Sequence, residues 1–203
     1  MIGRGFVYLS EACPSLVIAA SYATADNFTG TVVDGYRRVE AVYSEVGAKA
    51  LCQVQADAQK LGLSLKIFDA YRPVKAVEYF VSWSKIPGDI PEIKERYYPT
   101  HTKTELFDLG YIARQSSHSR GSAVDLTLVD TQGVELDMGT VFDYFHETSH
   151  TQNPSITAAQ KKNRELLVSL MAKHGFRNYA KEWWHFSLIK EAFPGRSFDF
   201  DIE

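Results

Sequence analysis

The stretch Ser116-Ser-His-Ser-Arg-Gly-Ser-Ala-Val-Asp-Leu-Thr-Leu128 decides how the chain is read, because it sets a histidine and a carboxylate at the edge of a strand. From Ala123 the pattern alternates: Val124, Leu126 and Leu128 face one way, and Ala123, Asp125 and Thr127 the other. Asp125 therefore leaves the core face. His118 stands seven residues earlier, a span on the order of 20 Å if extended, whereas two ligands of one zinc lie within ~2.2 Å of it. The chain must double back between them, and Gly121, free to take a positive φ, is the residue that permits the turn.

A second strand-like stretch, Glu182-Trp-Trp-His-Phe-Ser-Leu-Ile189, puts Trp184, Phe186 and Leu188 on one face and His185 with Ser187 on the other. His185 can supply a third ligand. Two histidines and one aspartate leave the fourth position of a zinc ion to water, the open arrangement of a catalytic site. Glu182 is then the candidate base. Residues three apart on a regular strand face opposite sides, so Glu182 joins His185 only if it precedes the strand proper or sits on a bulge. Taken singly, each ligand has an ordinary alternative: a histidine beside aromatics is usually a satisfied core residue, and a strand aspartate often pairs with arginine. Together, S-x-H-x-x-G-x-A-x-D followed by E-x-W-H is a specific combination.

With these motifs the chain resembles the zinc D-alanyl-D-alanine dipeptidases of the vancomycin-resistance type, within the hedgehog-like and D-Ala-D-Ala metallopeptidase group. The resemblance spans nearly the whole chain and includes Tyr22-Ala-Thr-Ala-Asp-Asn-Phe-Thr-Gly30, Asp69-Ala-Tyr-Arg-Pro73 and a closing Phe198-Asp-Phe200. It implies one zinc ion per chain held by His118, Asp125 and His185, with Glu182 as general base and Arg72 stabilising an oxyanion. It also implies a pocket in which Tyr22, Ser116, Ser117 and Asp143 position a small zwitterion, Asp143 taking its ammonium group. From residues alone, Tyr22 reads rather as an aromatic at a strand end and Arg72 as the partner of Asp69 or Glu78, with a surface carboxylate as the ordinary alternative for Asp143; the site roles come from the resemblance.

The chain has 203 residues, 45% of them hydrophobic, which suits a single domain over residues 1–203 with a sizeable core. A net charge of -3 without any basic run gives no footprint for nucleic acid or an anionic membrane. The early apolar run Leu16-Val-Ile-Ala-Ala20 is too short for a span and lacks the positive flank of an export signal, so a buried strand and a cytoplasmic protein are expected. Cys13 and Cys52 have no zinc-motif spacing and read as free thiols. Homo-oligomer formation stays open.

Residues 24–35 carry turn formers and read as a loop beside the site. Apolar residues at spacings of three and four predict helices over 47–61, ended by Gly62, and over 155–174, ended by Gly175. In the second, Lys161, Lys162, Arg164 and Glu165 read as a solvated face. Leu63, Leu65 and Ile67 predict a strand, and Val74, Val77 and Val81 a helix after Pro73, which places Arg72 at the junction. Residues 86–109 read as irregular with a short helix near 92–96 and no evident chemistry. Asp130-Thr-Gln-Gly133 predicts a hairpin turn into a strand with Val134 and Leu136.

His146-Glu-Thr-Ser-His150 matches H-E-x-x-H, a zinc motif of another peptidase class. That motif needs a sustained helix, and Thr148, Ser149, Thr151, Gln152 and Asn153 before Pro154 do not favour one. The expectation is an α+β domain whose antiparallel sheet carries a zinc site on one face and helices on the other, hydrolysing D-alanyl-D-alanine. The alternatives are a peptidoglycan D,D-carboxypeptidase or endopeptidase of the same group, or a zinc-binding module without catalysis. Retention of Glu182 and Arg72 argues against the last.

Overall fold

Alternation in the two motif stretches is realised as paired strands. The computed structural model describes residues 2–203. In chain order its elements are β1 (Phe6–Tyr8), α1 (Leu9–Ala12), β2 (Val17–Ile18), β3 (Val42–Ser44), α2 (Glu45–Gln59), β4 (Ser64–Asp69), α3 (Val74–Ser84), α4 (Pro91–Tyr97), α5 (Glu105–Asp108), β5 (Ala123–Val129), α6 (Ala158–Lys173), β6 (Phe176–Tyr179) and β7 (Glu182–Leu188). The fold is α+β. The main sheet has the order β2-β4-β5-β7-β6, and β1 pairs with β3 in a separate ribbon.

The sheet is antiparallel as expected except at one edge, where β2 runs parallel to β4. Opposed residues in an antiparallel pair share a face, so the register pairs Leu65 with Leu128, Ile67 with Leu126 and Val124 with Phe186 on the apolar side. All six are fully buried. The helices α2 and α6 pack on β4, on β6 and on each other, adding Leu51, Val54, Leu167 and Met171 to that core. The opposite face pairs Asp125 with His185 and with Asp69. Asp69 reaches it through a register shift after Ile67, where one extra residue turns the strand's parity over.

Local capping fixes the two long helices. Ser44 caps α2 through the Gly47 N–H, and Thr157 with Gln160 forms a capping box on α6. Gly62, at φ +72°, closes α2 in the left-handed conformation the sequence called for. The Asp130 turn forms, but the expected strand after it is a bridge between Val129 and Glu135 and no more. Cys13 and Cys52 are both unlinked, and burial pushes the Cys52 thiol up to about 12.

Arg164 departs from the solvated face expected of it. Its side chain is 1% exposed and donates to the carbonyls of Met138 (2.7 Å), His150 (2.7 Å) and Thr148 (2.9 Å). The loop over residues 137–150 has no strand to pair with, and the five N–H donors of a guanidinium supply its partners instead. Arg164→Met is expected to cost about 3 kcal/mol in urea unfolding, because three carbonyls of the loop lose their donor and one of them lies in a fully buried bond. The exposed Lys161→Met should shift stability by less than about 0.5 kcal/mol; equal effects would count against the loop-clamping role.

Candidate metal centre and cleft

His118 opens a single 3-10 turn, His118–Arg120, and Gly121 follows at φ +59°. A Cβ on Gly121 would also lie 2.5 Å from the Phe6 ring. Both its conformation and its surroundings thus require glycine, and the doubling back places His118 against β5. Its Nδ1 donates to the Ala70 carbonyl at 2.6 Å, which turns Nε2 toward Asp125 and His185. Nε2 lies 3.3 Å from Asp125 Oδ2 and 3.3 Å from His185 Nδ1, and His185 Nδ1 lies 2.9 Å from Asp125 Oδ1.

A tetrahedral zinc with ligands at its usual bond lengths holds neighbouring donors about 3.3 Å apart. The three residues fit that ion, and among the described residues they are the group of donors that converges in this way. His185 turns its other nitrogen to the Ser187 hydroxyl at 3.3 Å, the outer contact that fixes a ligating imidazole. Burial works against ionisation of Asp125, and the two imidazoles more than reverse it, holding the carboxyl well below the ordinary range. Burial lowers His185, favouring the neutral, ligating form.

Glu182 satisfies the demand made of it. It is the first residue of β7, and the pairing with β6 jumps between Asn178 opposite Phe186 and Tyr179 opposite Glu182. The Asn178 amide fills the gap, donating to the carbonyls of Glu182 (3.0 Å) and His185 (3.0 Å). This irregularity brings the Glu182 carboxylate to 3.8 Å from His185 Nδ1 and lets Trp184 line the cleft too, although alternation alone had put it on the core side. Burial first, then the charges of Asp125 and Asp143, raise Glu182 well above the usual carboxylate range.

Arg72 follows the bulge of β4. Its Nε donates to Asp69 Oδ2 at 2.9 Å and its NH2 group lies 3.4 Å from Asp125 Oδ2, while Tyr36 donates to Asp69 Oδ1 at 2.7 Å. The salt bridge to Asp69 and a place in the cleft are therefore compatible, and Glu78 takes no part in that pair. The guanidinium also lies 5.1 Å from the centre of the Tyr22 ring, and Tyr22 donates to Asp143 Oδ2 at 2.7 Å. Asp143 has φ +58°, the left-handed conformation that, after glycine, asparagine and aspartate adopt most readily. Burial pushes its carboxyl well above the ordinary range, with Asp125 adding to the effect.

One cavity of about 300 Å³ is lined by all nine residues singled out from sequence: Tyr22, Arg72, Ser116, Ser117, His118, Asp125, Asp143, Glu182 and His185. The rest of its wall comes from the aromatic rings of Phe28, Phe80, Phe145 and Trp184, from Tyr179 and from residues 110–113 with Gln115; the sequence reading passed over that last segment because it shows no periodicity. The H-E-x-x-H stretch forms a 3-10 turn, Glu147–Ser149, in which His146 caps the Thr148 N–H and His150 pairs with the Tyr111 hydroxyl at 3.1 Å. Neither histidine joins the donor cluster.

A donor set of two imidazoles and one carboxylate, with His118 and Asp125 buried and His185 partly exposed to the cleft beside a second carboxylate, defines a metallopeptidase site. The model of the family described as D-ala-D-ala dipeptidase, Peptidase_M15, matches residues 3–203, and the chain belongs to that family. It is 43% identical over 200 residues to a D-alanyl-D-alanine dipeptidase of Enterococcus faecalis, covering 98% of each chain. A D-alanyl-D-alanine dipeptidase of Streptomyces coelicolor is 42% identical over 97% of this chain and 98% of its own. That of Escherichia coli is 37% identical, over 92% and 86%. Among solved structures, a zinc-bound vancomycin-resistance D,D-pentapeptidase aligns over 74% of each chain with 14% identity and a TM-score of 0.45, too distant a likeness to bear on the site.

Proposed function

We propose that the chain hydrolyses D-alanyl-D-alanine to two molecules of D-alanine, acting through zinc held by His118, Asp125 and His185. The observation that carries this reading is the one small cavity that joins the metal triad, a second buried carboxylate and the Tyr22–Asp143 pair. At about 300 Å³ it lies at the lower limit of small-ligand pockets.

When bound, zinc supplies a Lewis acid and lowers the pKa of a coordinated water. Glu182 removes a proton from the attacking water and delivers it to the departing amine, so one water and one peptide bond give one carboxylate and one amine. The Arg72 guanidinium, fixed by Asp69, stabilises the negative charge that develops on the carbonyl oxygen. Asp143, oriented by Tyr22, accepts the substrate's ammonium group, and Ser116 and Ser117 line the wall beside the metal turn. The whole chain acts as one domain in this reading. A cytoplasmic setting, in which Cys13 and Cys52 remain thiols, belongs to the same proposal; among the described residues no helix is long and apolar enough to cross a membrane.

The test is the comparison of D-Ala-D-Ala with N-acetyl-D-Ala-D-Ala. Acylation removes the ammonium charge and leaves the buried Asp143 without its partner, a desolvation cost of several kcal/mol. A loss of more than about a hundredfold in kcat/KM is expected, and Asp143→Asn should narrow it. Comparable values for both substrates would move the protein to the carboxypeptidase alternative, and cleavage of neither to the inert module. Full discrimination in Asp143→Asn would assign the ammonium to another carboxylate.

A further inference from the structure

The segment over residues 191–202 contains no helix or extended strand, yet it binds each of the pieces that surround Arg72. Its contacts begin at Glu191, whose two carboxylate oxygens receive Arg120 at 2.8 and 2.6 Å. Phe198 then donates its N–H to the Ser119 carbonyl at 2.8 Å and accepts the Val74 N–H at 3.1 Å. It thereby joins the turn that carries His118 to the first residue of α3.

The start of α3 lacks a cap of its own, because Pro73 at the N-cap has no side chain that accepts a hydrogen bond. Asp199 supplies it from outside: its Oδ1 accepts the Lys75 N–H at 2.7 Å. One residue further, the Tyr71 hydroxyl accepts the Phe200 N–H at 2.9 Å and donates to the Phe200 carbonyl at 3.0 Å, with the two rings stacked at 4.1 Å. Ile202 donates to the Gly35 carbonyl and accepts from the Arg37 N–H, bracketing the Tyr36 that bonds Asp69. Residues 71, 74 and 75 are thus held on both sides of Arg72 by the same segment, and its Asp69 partner is held indirectly through Tyr36.

We propose that residues 198–202 are a positioning brace for the Arg72 guanidinium, with Tyr71 and Asp199 as the positioning residues; this rests on the reading of Arg72 as the oxyanion donor. His118 is held directly by the Ala70 carbonyl and by the Arg72 N–H that meets its own carbonyl; replacing the Tyr71 hydroxyl or the Asp199 carboxylate removes neither bond, so zinc content reports whether the effect stays at the arginine. Small displacements of a group that stabilises a transition state lower turnover with little effect on binding.

The experiment is a double-mutant cycle on the zinc-loaded full chain, using Tyr71→Phe, Asp199→Ala and Asp199→Asn, each alone and combined with Arg72→Ala. Tyr71→Phe and Asp199→Ala should each lower kcat about tenfold at unchanged KM and zinc content. Asp199→Asn, which keeps the capping oxygen, should restore it. Within Arg72→Ala the same changes should alter kcat less than about twofold. Full-sized losses in that background, loss of zinc, or a lowered melting temperature with kcat intact would each overturn the brace. Arg72→Ala turning over at the parental rate would instead overturn the oxyanion reading, and the brace with it. Asp199 is half exposed, so its replacement tests the idea even if Tyr71→Phe folds poorly.

Discussion

Glu182→Ala is expected to keep its zinc and lose roughly 10²–10⁴-fold in turnover, the usual contribution of a positioned acid–base group. The carboxylate stands beside the triad but outside it, since the converging donors are His118, Asp125 and His185. Burial and two neighbouring carboxylates raise its proton affinity well above that of an ordinary glutamate, which suits a group that must take a proton and then return it. Glu182→Gln separates this role from simple space filling, because the amide keeps the shape and cannot accept the proton. Both variants should be equally impaired, as read by D-alanine release with zinc measured on the same samples. Turnover at the parental rate in either would send the search to another carboxylate, and Asp143 is the one buried in the cleft outside the metal triad.

Loss of zinc altogether is the expected result for His118→Ala, Asp125→Ala and His185→Ala, because three donors at tetrahedral spacing leave none to spare. His146→Ala and His150→Ala should bind it as the parent does. Metal analysis after dialysis reads this directly. A second readout comes from linkage: an ion bound only by the folded state stabilises it, by about 4 kcal/mol at a thousandfold excess over its Kd. A chelator should therefore lower the melting temperature of the parent and of the His146 and His150 variants, and leave the three ligand variants unmoved. Stoichiometric zinc in His185→Ala together with an empty His150→Ala would hand the site to the H-E-x-x-H stretch.

The two readings of that stretch show what local pattern can decide. Five residues met the motif, but the polar run before Pro154 could not sustain the helix that sets two histidines on one face, and the structure has a 3-10 turn there. Helix propensity, which is local, was enough to reject it. Arg164 shows the opposite case. Its neighbours Lys161 and Glu165 are exposed, and nothing in helical spacing distinguishes it from them; only the loop that lies against α6 makes it a buried donor to three carbonyls.

What the sequence determined by itself was the pair of strands, their parity and the residue types of the site. A period of two puts Asp125 and His185 off the core face wherever the strands go, and the break between His118 and Asp125 required a residue able to take positive φ, which Gly121 is. Parity also exposed its own exception, since Glu182 could reach the site only through an irregularity. Where that irregularity falls, and that Asn178 fills it with its amide, belongs to the pairing of β6 with β7, which are partners through hydrogen bonds that neither strand encodes alone. The same holds for the bulge that turns Asp69 under Arg72, for the segment over residues 110–115 that closes the cavity, and for residues 198–202 bracing the arginine loop. Local periodicity does not specify a bulge, a hairpin's register or the docking of an aperiodic segment, and the physical forces that choose them, mutual burial and the satisfaction of backbone donors, act only once the chain is folded.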